Sequence, residues 1–200
     1  MFCFQCEQTA KCAGCTGAMG VCGKKSDTAE LQDQLTGKLI GLARATDGNE
    51  HMLSASTAAV VVEALFATLT NVNFDNVALL ALMARVEEEK RKLVPECFKC
   101  VSTCGRTEDY DMAKLWNADE DIRSLKSLIL FGIRGLAAYA YHAAVLGYKD
   151  ESIHRFLYKA LFAIGMDDWG MEELLPIVLE VGEVNLRCMA MLDKANTETF

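Results

Sequence analysis

Nine cysteines occur in 200 residues, and five of them, Cys3, Cys6, Cys12, Cys15 and Cys22, crowd the amino-terminal end, while none lies between Cys22 and Cys97. Thiolates are soft metal ligands. Cys3-x2-Cys6 sets two of them a short turn apart, and Cys15 and Cys22 bring back two more. Four sulfur donors suit a structural zinc, with Zn–S about 2.3 Å, or an iron–sulfur cluster; a redox-active thiol group is the third option. Zinc sites more often pair two short C-x2-4-C knuckles. Here the second pair is spread out and surrounded by Gly14, Gly17, Gly20 and Gly23. Glycine backbone can wrap closely around a bulky cluster and turn N–H groups toward its sulfurs. The spacing favours iron–sulfur and leaves the other two readings open.

The remaining cysteines divide by context. Cys12 is either a bystander or a substitute for Cys15 as a ligand. Cys97-x2-Cys100-x3-Cys104 either supplies three ligands of a second metal or cluster, with a fourth from elsewhere, or is a set of surface thiols or an adventitious disulfide. Cys188 shares an apolar helix face with Val184 and Leu192 and is expected in the core. Phe2 and Phe4 flank Cys3, where they would shield a cluster or anchor the terminus. His142, among Ala138, Tyr139 and Val145, reads as an interior histidine; His51 and His154 sit near helix starts and need no special role. The nine methionines lie in helix stripes and read as core filling.

A helical scaffold must hold this head. Ser26, Asp27 and Thr28 offer N-caps, and Leu31, Leu35, Leu39 and Leu42 follow at helical spacing, so a first helix runs to about residue 45. Residues 52–69 are apolar nearly all round, which predicts a central helix. Val77, Leu80, Met83 and Val86 carry a third helix into the charged run 87–92, read as a solvated end stopped by Pro95. Residues 97–110 lack periodicity and read as a loop. Asp119, Glu120 and Asp121 then open a long helix with the stripe Ile122, Leu125, Ile129, Ile133, Leu136 and Tyr139. Two more follow, over about 151–164 and 171–194, with Pro176 near the first turn of the last or at a kink. No segment alternates with period two. The expected fold is an all-α helical bundle: residues 1–25 form a Cys-rich cluster-binding loop, residues 26–200 the bundle, and the two make one domain.

Composition narrows the function. With 20 Lys and Arg against 28 Asp and Glu, the net charge of −8 disfavours nucleic acid and anionic membranes. Stretches free of charge, such as 135–148, fall short of the ~20 residues needed to span a bilayer. No secretory signal is visible, and an odd number of clustered cysteines suits a reducing compartment. The expectation is a cytoplasmic protein without nucleic-acid or membrane partners.

These residues also carry a family resemblance. Met1-Phe2-Cys3-Phe4-Gln5-Cys6-Glu7-Gln8-Thr9-Ala10, then Gly14-Cys15-Thr16, Gly20-Val21-Cys22-Gly23-Lys24 and Leu31-Gln32-Asp33, resembles the amino-terminal domain of the hybrid cluster protein family, also called prismane or hydroxylamine reductase. The likeness continues through Leu65-Phe66-Ala67-Thr68-Leu69-Thr70-Asn71, Glu120-Asp121-Ile122-Arg123-Ser124-Leu125, His142-Ala143-Ala144-Val145-Leu146-Gly147 and Leu192-Asp193-Lys194-Ala195-Asn196-Thr197, and so spans essentially the whole chain. It implies that Cys3, Cys6, Cys15 and Cys22 bind a cubane [4Fe-4S] cluster, or a [2Fe-2S] cluster as in members with wider spacing. It further implies an electron-transfer module that takes electrons from a donor protein and relays them for reduction of hydroxylamine to ammonia, or of nitric oxide.

Two departures bear on that implication. The last cysteine interval is one residue longer than the commonest family spacing, a loop-closure difference of only about 0.1 kcal/mol. Family members also continue for several hundred residues into α/β domains that hold a hybrid iron–sulfur–oxygen cluster through Cys, His and Glu ligands. The expectation is that these catalytic domains are absent from this chain, and that turnover needs them on a separate chain. The uncovered flank of the bundle would then be apolar, seated on such a partner or on a second copy. The rival reading is a zinc- or thiol-stapled helical interaction domain without redox turnover.

Overall fold

The computed structural model describes residues 3–6, 14–99, 105 and 107–200. Phe2, Cys12, Cys100 and Cys104 lie outside the described residues, as do the roles considered for them. The described residues wind into seven α-helices with no strand longer than an isolated bridge. They are α1 (Ser26–Ala45), α2 (Ala55–Ala67), α3 (Asn76–Leu93), α4 (Met112–Trp116), α5 (Glu120–Val145), α6 (Glu151–Gly165) and α7 (Met171–Thr199). The expected all-α bundle is what forms.

Side-chain caps start most of these helices. Ser54 accepts from Thr57 N, Asp75 from Val77 N and Ala78 N, Asp111 from Ala113 N, and Asp150 from Ser152 N. Each satisfies amides that a helix start leaves without partners. At α7 the task falls to Glu173, whose carboxylate accepts from Gly170 N at 2.9 Å. Pro176 lies in the second turn of α7, so the carbonyl left without its usual donor belongs to Glu172, which faces water.

α1 and α5 form the centre. α1 packs on α2, α3, α4 and α6, and α5 on α2, α4, α6 and α7. The two bring Leu35, Leu39, Ile40 and Leu42 together with Ile129, Leu130, Ile133 and Leu136 in one core, joined by Leu157 and Leu161 of α6. α5 and α7 run parallel: Val181 lies opposite Gly132, and the Cys188 thiol donates to Leu136 O at 3.5 Å. Cys188 is fully buried, as expected. An 18-residue window of α5 has a mean hydropathy of 1.4, so by length and composition the helix could cross a membrane; the charge-free stretch 135–148 falls short because it stops at Arg134. In the fold it is a central helix packed by four others. α7 leaves Leu175, Leu179 and Leu186 exposed at helical spacing on its outer side.

The charged run 87–92 departs from the solvated end that it suggests. Glu89 and Lys90 are buried, Glu89 against the start of α2 and Lys90 because the segment after residue 106 folds over the end of α3. Lys90 Nζ donates to Thr107 O and Asp109 Oδ1, both at 2.8 Å, and Glu89 accepts from Thr57 Oγ1 at 2.6 Å. The same segment lies on α1 at Gly37, whose carbonyl accepts from Tyr110 N at 3.0 Å. A Cβ at Gly37 would stand 2.3 Å from Tyr110 O, so only glycine permits the approach.

Candidate metal centre

Cys3 and Cys15 come together through the backbone: Cys15 N donates to Cys3 O at 2.8 Å, an isolated antiparallel bridge. A tight turn then returns Cys22, with Gly23 N donating to Gly20 O at 2.9 Å and Gly20 N to Lys24 O at 2.8 Å. Gly23 sits at φ +84, which a residue with a side chain adopts only under strain. Cys3, Cys6, Cys15 and Cys22 line one small cavity with Gln5, Gly20, Val21, Lys24 and Thr70. Gly20 forms part of its wall: a Cβ there would lie 3.5 Å from Cys22 Sγ and 3.7 Å from Cys15 Sγ, taking up space between two thiols.

The donor set is wholly soft, four thiols facing one space, which suits iron–sulfur or zinc and not a hard cation. No three His, Cys, Asp or Glu side chains among the described residues gather closely enough to hold a single ion. Burial pushes the Cys3 thiol pKa up, against the Gln5 backbone N–H and the Lys24 charge, which pull it down. A metal would therefore displace a proton there.

Beneath the head lies a buried polar network on α1. Gln5 Nε2 donates to Ala29 O at 3.1 Å and to Asp33 Oδ1 at 2.6 Å. Lys24 Nζ donates to Gln5 Oε1 at 2.8 Å and Gln32 Oε1 at 2.5 Å. Gln32 Nε2 continues to Asn73 O at 2.9 Å, and its own carbonyl accepts from Thr36 Oγ1 at 2.8 Å. Thr36 Oγ1 also accepts from Arg134 Nη2 at 2.9 Å, while Arg134 Nε donates to Thr68 Oγ1 at 3.0 Å. Burial lowers the Arg134 pKa to about 10, opposed by nearby Asp33 and Cys3. Burial likewise raises the Asp33 carboxyl above its usual range, despite the Gln5 hydrogen bond and the Arg134 charge.

Phe4 anchors the head from the other side, its ring 5.3 Å from that of Trp116 at the end of α4. This is the anchoring role among the two considered for it. His142 is not interior: it is exposed on α5 with its ring 5.3 Å from Phe66, edge-on, because the apolar side of that turn belongs to Ala140 and Ala143. Cys97 is half-buried and free. Lys24, Gln32 and Arg134 carry no sequence mark of a site role; the one hint is a guanidinium between Ile133 and Leu136 in an apolar stripe.

The architecture is thus a helical bundle capped by a thiol-lined cavity. Across residues 1–200 the chain matches the model of the Prismane/CO dehydrogenase family, and it belongs to that family. Proteins of the family carry iron–sulfur clusters. The chain is similar to hydroxylamine reductases from Methanococcus vannielii (40% identical) and Chlorobaculum tepidum (42% identical), in each case over 100% of this chain. It covers 40% and 39% of those two proteins, matching the amino-terminal part of longer chains.

Proposed function

We propose that this chain is the iron–sulfur electron-transfer region of a hydroxylamine reductase-like protein, with Cys3, Cys6, Cys15 and Cys22 as ligands of a [4Fe-4S] cluster, or of a [2Fe-2S] cluster. The observation that carries the reading is the convergence of those four thiols on one cavity closed by the Cys3–Cys15 bridge. The spread of Cys15 and Cys22, with Gly14, Gly17, Gly20 and Gly23 around them, favours a cluster over the two short knuckles of a zinc site. Bound there, such a cluster supplies one-electron transfer. The chain's own residues hold it at the bundle surface: Gly20 and Gly23 shape the wall, Phe4 clamps the loop, and Gln5 and Lys24 tie it to α1. Electrons would come from a donor protein in the cytoplasm and pass to a hybrid cluster held outside these residues. There hydroxylamine would take up two electrons and two protons to give ammonia and water, or nitric oxide would be reduced. The apolar stripe on α7 supports a partner surface, for separate catalytic domains or a second copy.

Anaerobic reconstitution with iron and sulfide tests the assignment. The expected product binds iron and sulfide together, absorbs broadly in the visible, gives a paramagnetic resonance signal when reduced, and loses all of these in Cys6→Ala. A colourless protein that holds one zinc and no sulfide would overturn it in favour of the stapled interaction domain.

A further inference from the structure

Two cations are buried beside the thiols, and among the described residues neither has a carboxylate in direct contact; the buried carboxyl of Asp33 lies near both and is linked to Lys24 only through Gln5. Lys24 is 2% exposed and Arg134 is 1% exposed. Lys24 Nζ has three N–H donors, and the acceptors it meets among the described residues are the neutral amide oxygens of Gln5 and Gln32. Arg134 meets the hydroxyls of Thr36 and Thr68, and its buried Nη1 has no partner among the described residues. Desolvating a cation is unfavourable unless an anion or a full set of hydrogen bonds compensates it. Of the two other lysines buried as deeply, Lys90 has its carboxylate in Asp109 at 2.8 Å, while Lys126, which does not line the cysteine cavity, donates to Met166 O at 2.7 Å. Lys24 lines the cavity of the four cysteines, and Arg134 stands behind it, joined through Thr36 and the Gln32 backbone. Exposed Lys25, next in the chain, is solvated and serves as the natural comparison.

We propose that Lys24, backed by Arg134, is the built-in counter-charge of the thiolate-held centre and sets its reduction potential. A positive charge fixed in a desolvated wall favours whichever state of the centre carries the extra electron. Both side chains therefore raise the potential, and neither touches a reacting substrate. This inference rests on the iron–sulfur reading above and adds to it: a cluster held by four thiolates keeps a net negative charge that grows on reduction, and buried cations beside it offset that growth.

The test is a redox titration of the reconstituted chain, followed by visible absorption, with iron and sulfide content measured on every sample. Lys24→Met keeps the length of the side chain and removes the charge. It is expected to shift the oxidised-to-reduced ratio at a set ambient potential at least tenfold toward oxidised, equal to 59 mV for one electron. Lys24→Arg and Lys25→Met are expected to stay within threefold of the parent. A loaded Lys24→Met protein with the parent's potential overturns the counter-charge while leaving the cluster intact. Should Lys24→Met not load, Gln32→Glu makes the same measurement. It is nearly isosteric and sets an anion on Lys24 Nζ, so a tenfold shift toward oxidised supports the proposal and an unchanged potential overturns it. A parent chain that takes up zinc and no iron overturns the iron–sulfur reading and the counter-charge with it.

Discussion

Gly37→Ala adds one methyl group where α1 meets the segment around Tyr110, and its effect follows from the geometry. The new Cβ would stand 2.3 Å from Tyr110 O and 3.4 Å from Tyr110 C, both backbone atoms that no rotamer change can move aside. Relieving the overlap means pushing the segment off α1, at about 1–3 kcal/mol for overpacking. Tyr110 N would also lose its acceptor at Gly37 O, worth about 0.5–1.5 kcal/mol. Against this, alanine in a helix interior gains about 1 kcal/mol over glycine. The net expectation is a loss of about 0.5–3.5 kcal/mol, or roughly 1–14 °C in Tm for a domain of this size. Gly182→Ala is the control: Gly182 is exposed on α7, nothing lies within 4 Å of its added Cβ, and only the helix gain of up to about 1 kcal/mol applies. Thermal melts by far-ultraviolet circular dichroism should move in opposite directions for the two variants. If Gly37→Ala melts at or above the parent, the close packing of the Tyr110 segment on α1 is wrong.

Two further outcomes follow from contacts in the bundle and the head. Burial pushes the Asp109 carboxyl up, but Lys38 at 2.6 Å and Lys90 at 2.8 Å outweigh it and hold the pKa below the ordinary value. The resulting stabilisation is complete above the unfolded pKa of about 4 and is lost as pH falls through the lower folded value. Asp109→Asn should therefore lower Tm at neutral pH, with the gap to the parent closing in acid; a gap independent of pH would refute the ion pairs. Phe4→Ala removes a ring contact worth about 0.5–1.5 kcal/mol beyond area burial. In a Trp169→Phe background it should shift Trp116 emission to the red, and unchanged emission would mean that the head is not clamped there.

Much of the scaffold is readable from residue spacing because apolar side chains at helical intervals can bury only one face. Leu35, Leu39 and Leu42, like Ile129, Ile133 and Leu136, announce their helices without help from the rest of the chain. The five residues of α4 are too few to show a period, and its start depends on Asp111 capping Ala113 N. The four ligand candidates are legible for a different reason, since a thiol cluster is rare in any chain. Lys24, Lys90 and Arg134 are not legible: a cation reads the same whether water or protein surrounds it. Lys90 becomes buried only when residues 107–109 fold across it, and Lys24 only when the loop closes on Gln32. His142 errs the other way, placed inside by apolar neighbours in sequence while its own position on α5 faces out.

The groups that receive the cysteine loop are Ala29 O and, one helical turn further along α1, Gln32 and Asp33. They stand in a row only after that helix has wound, so the berth for the loop is a product of helix formation and not a partner in it. Unwinding that one turn of α1 would therefore release the loop from Ala29, Gln32 and Asp33 together, so the seat of the cysteines is only as stable as the start of the helix beneath it.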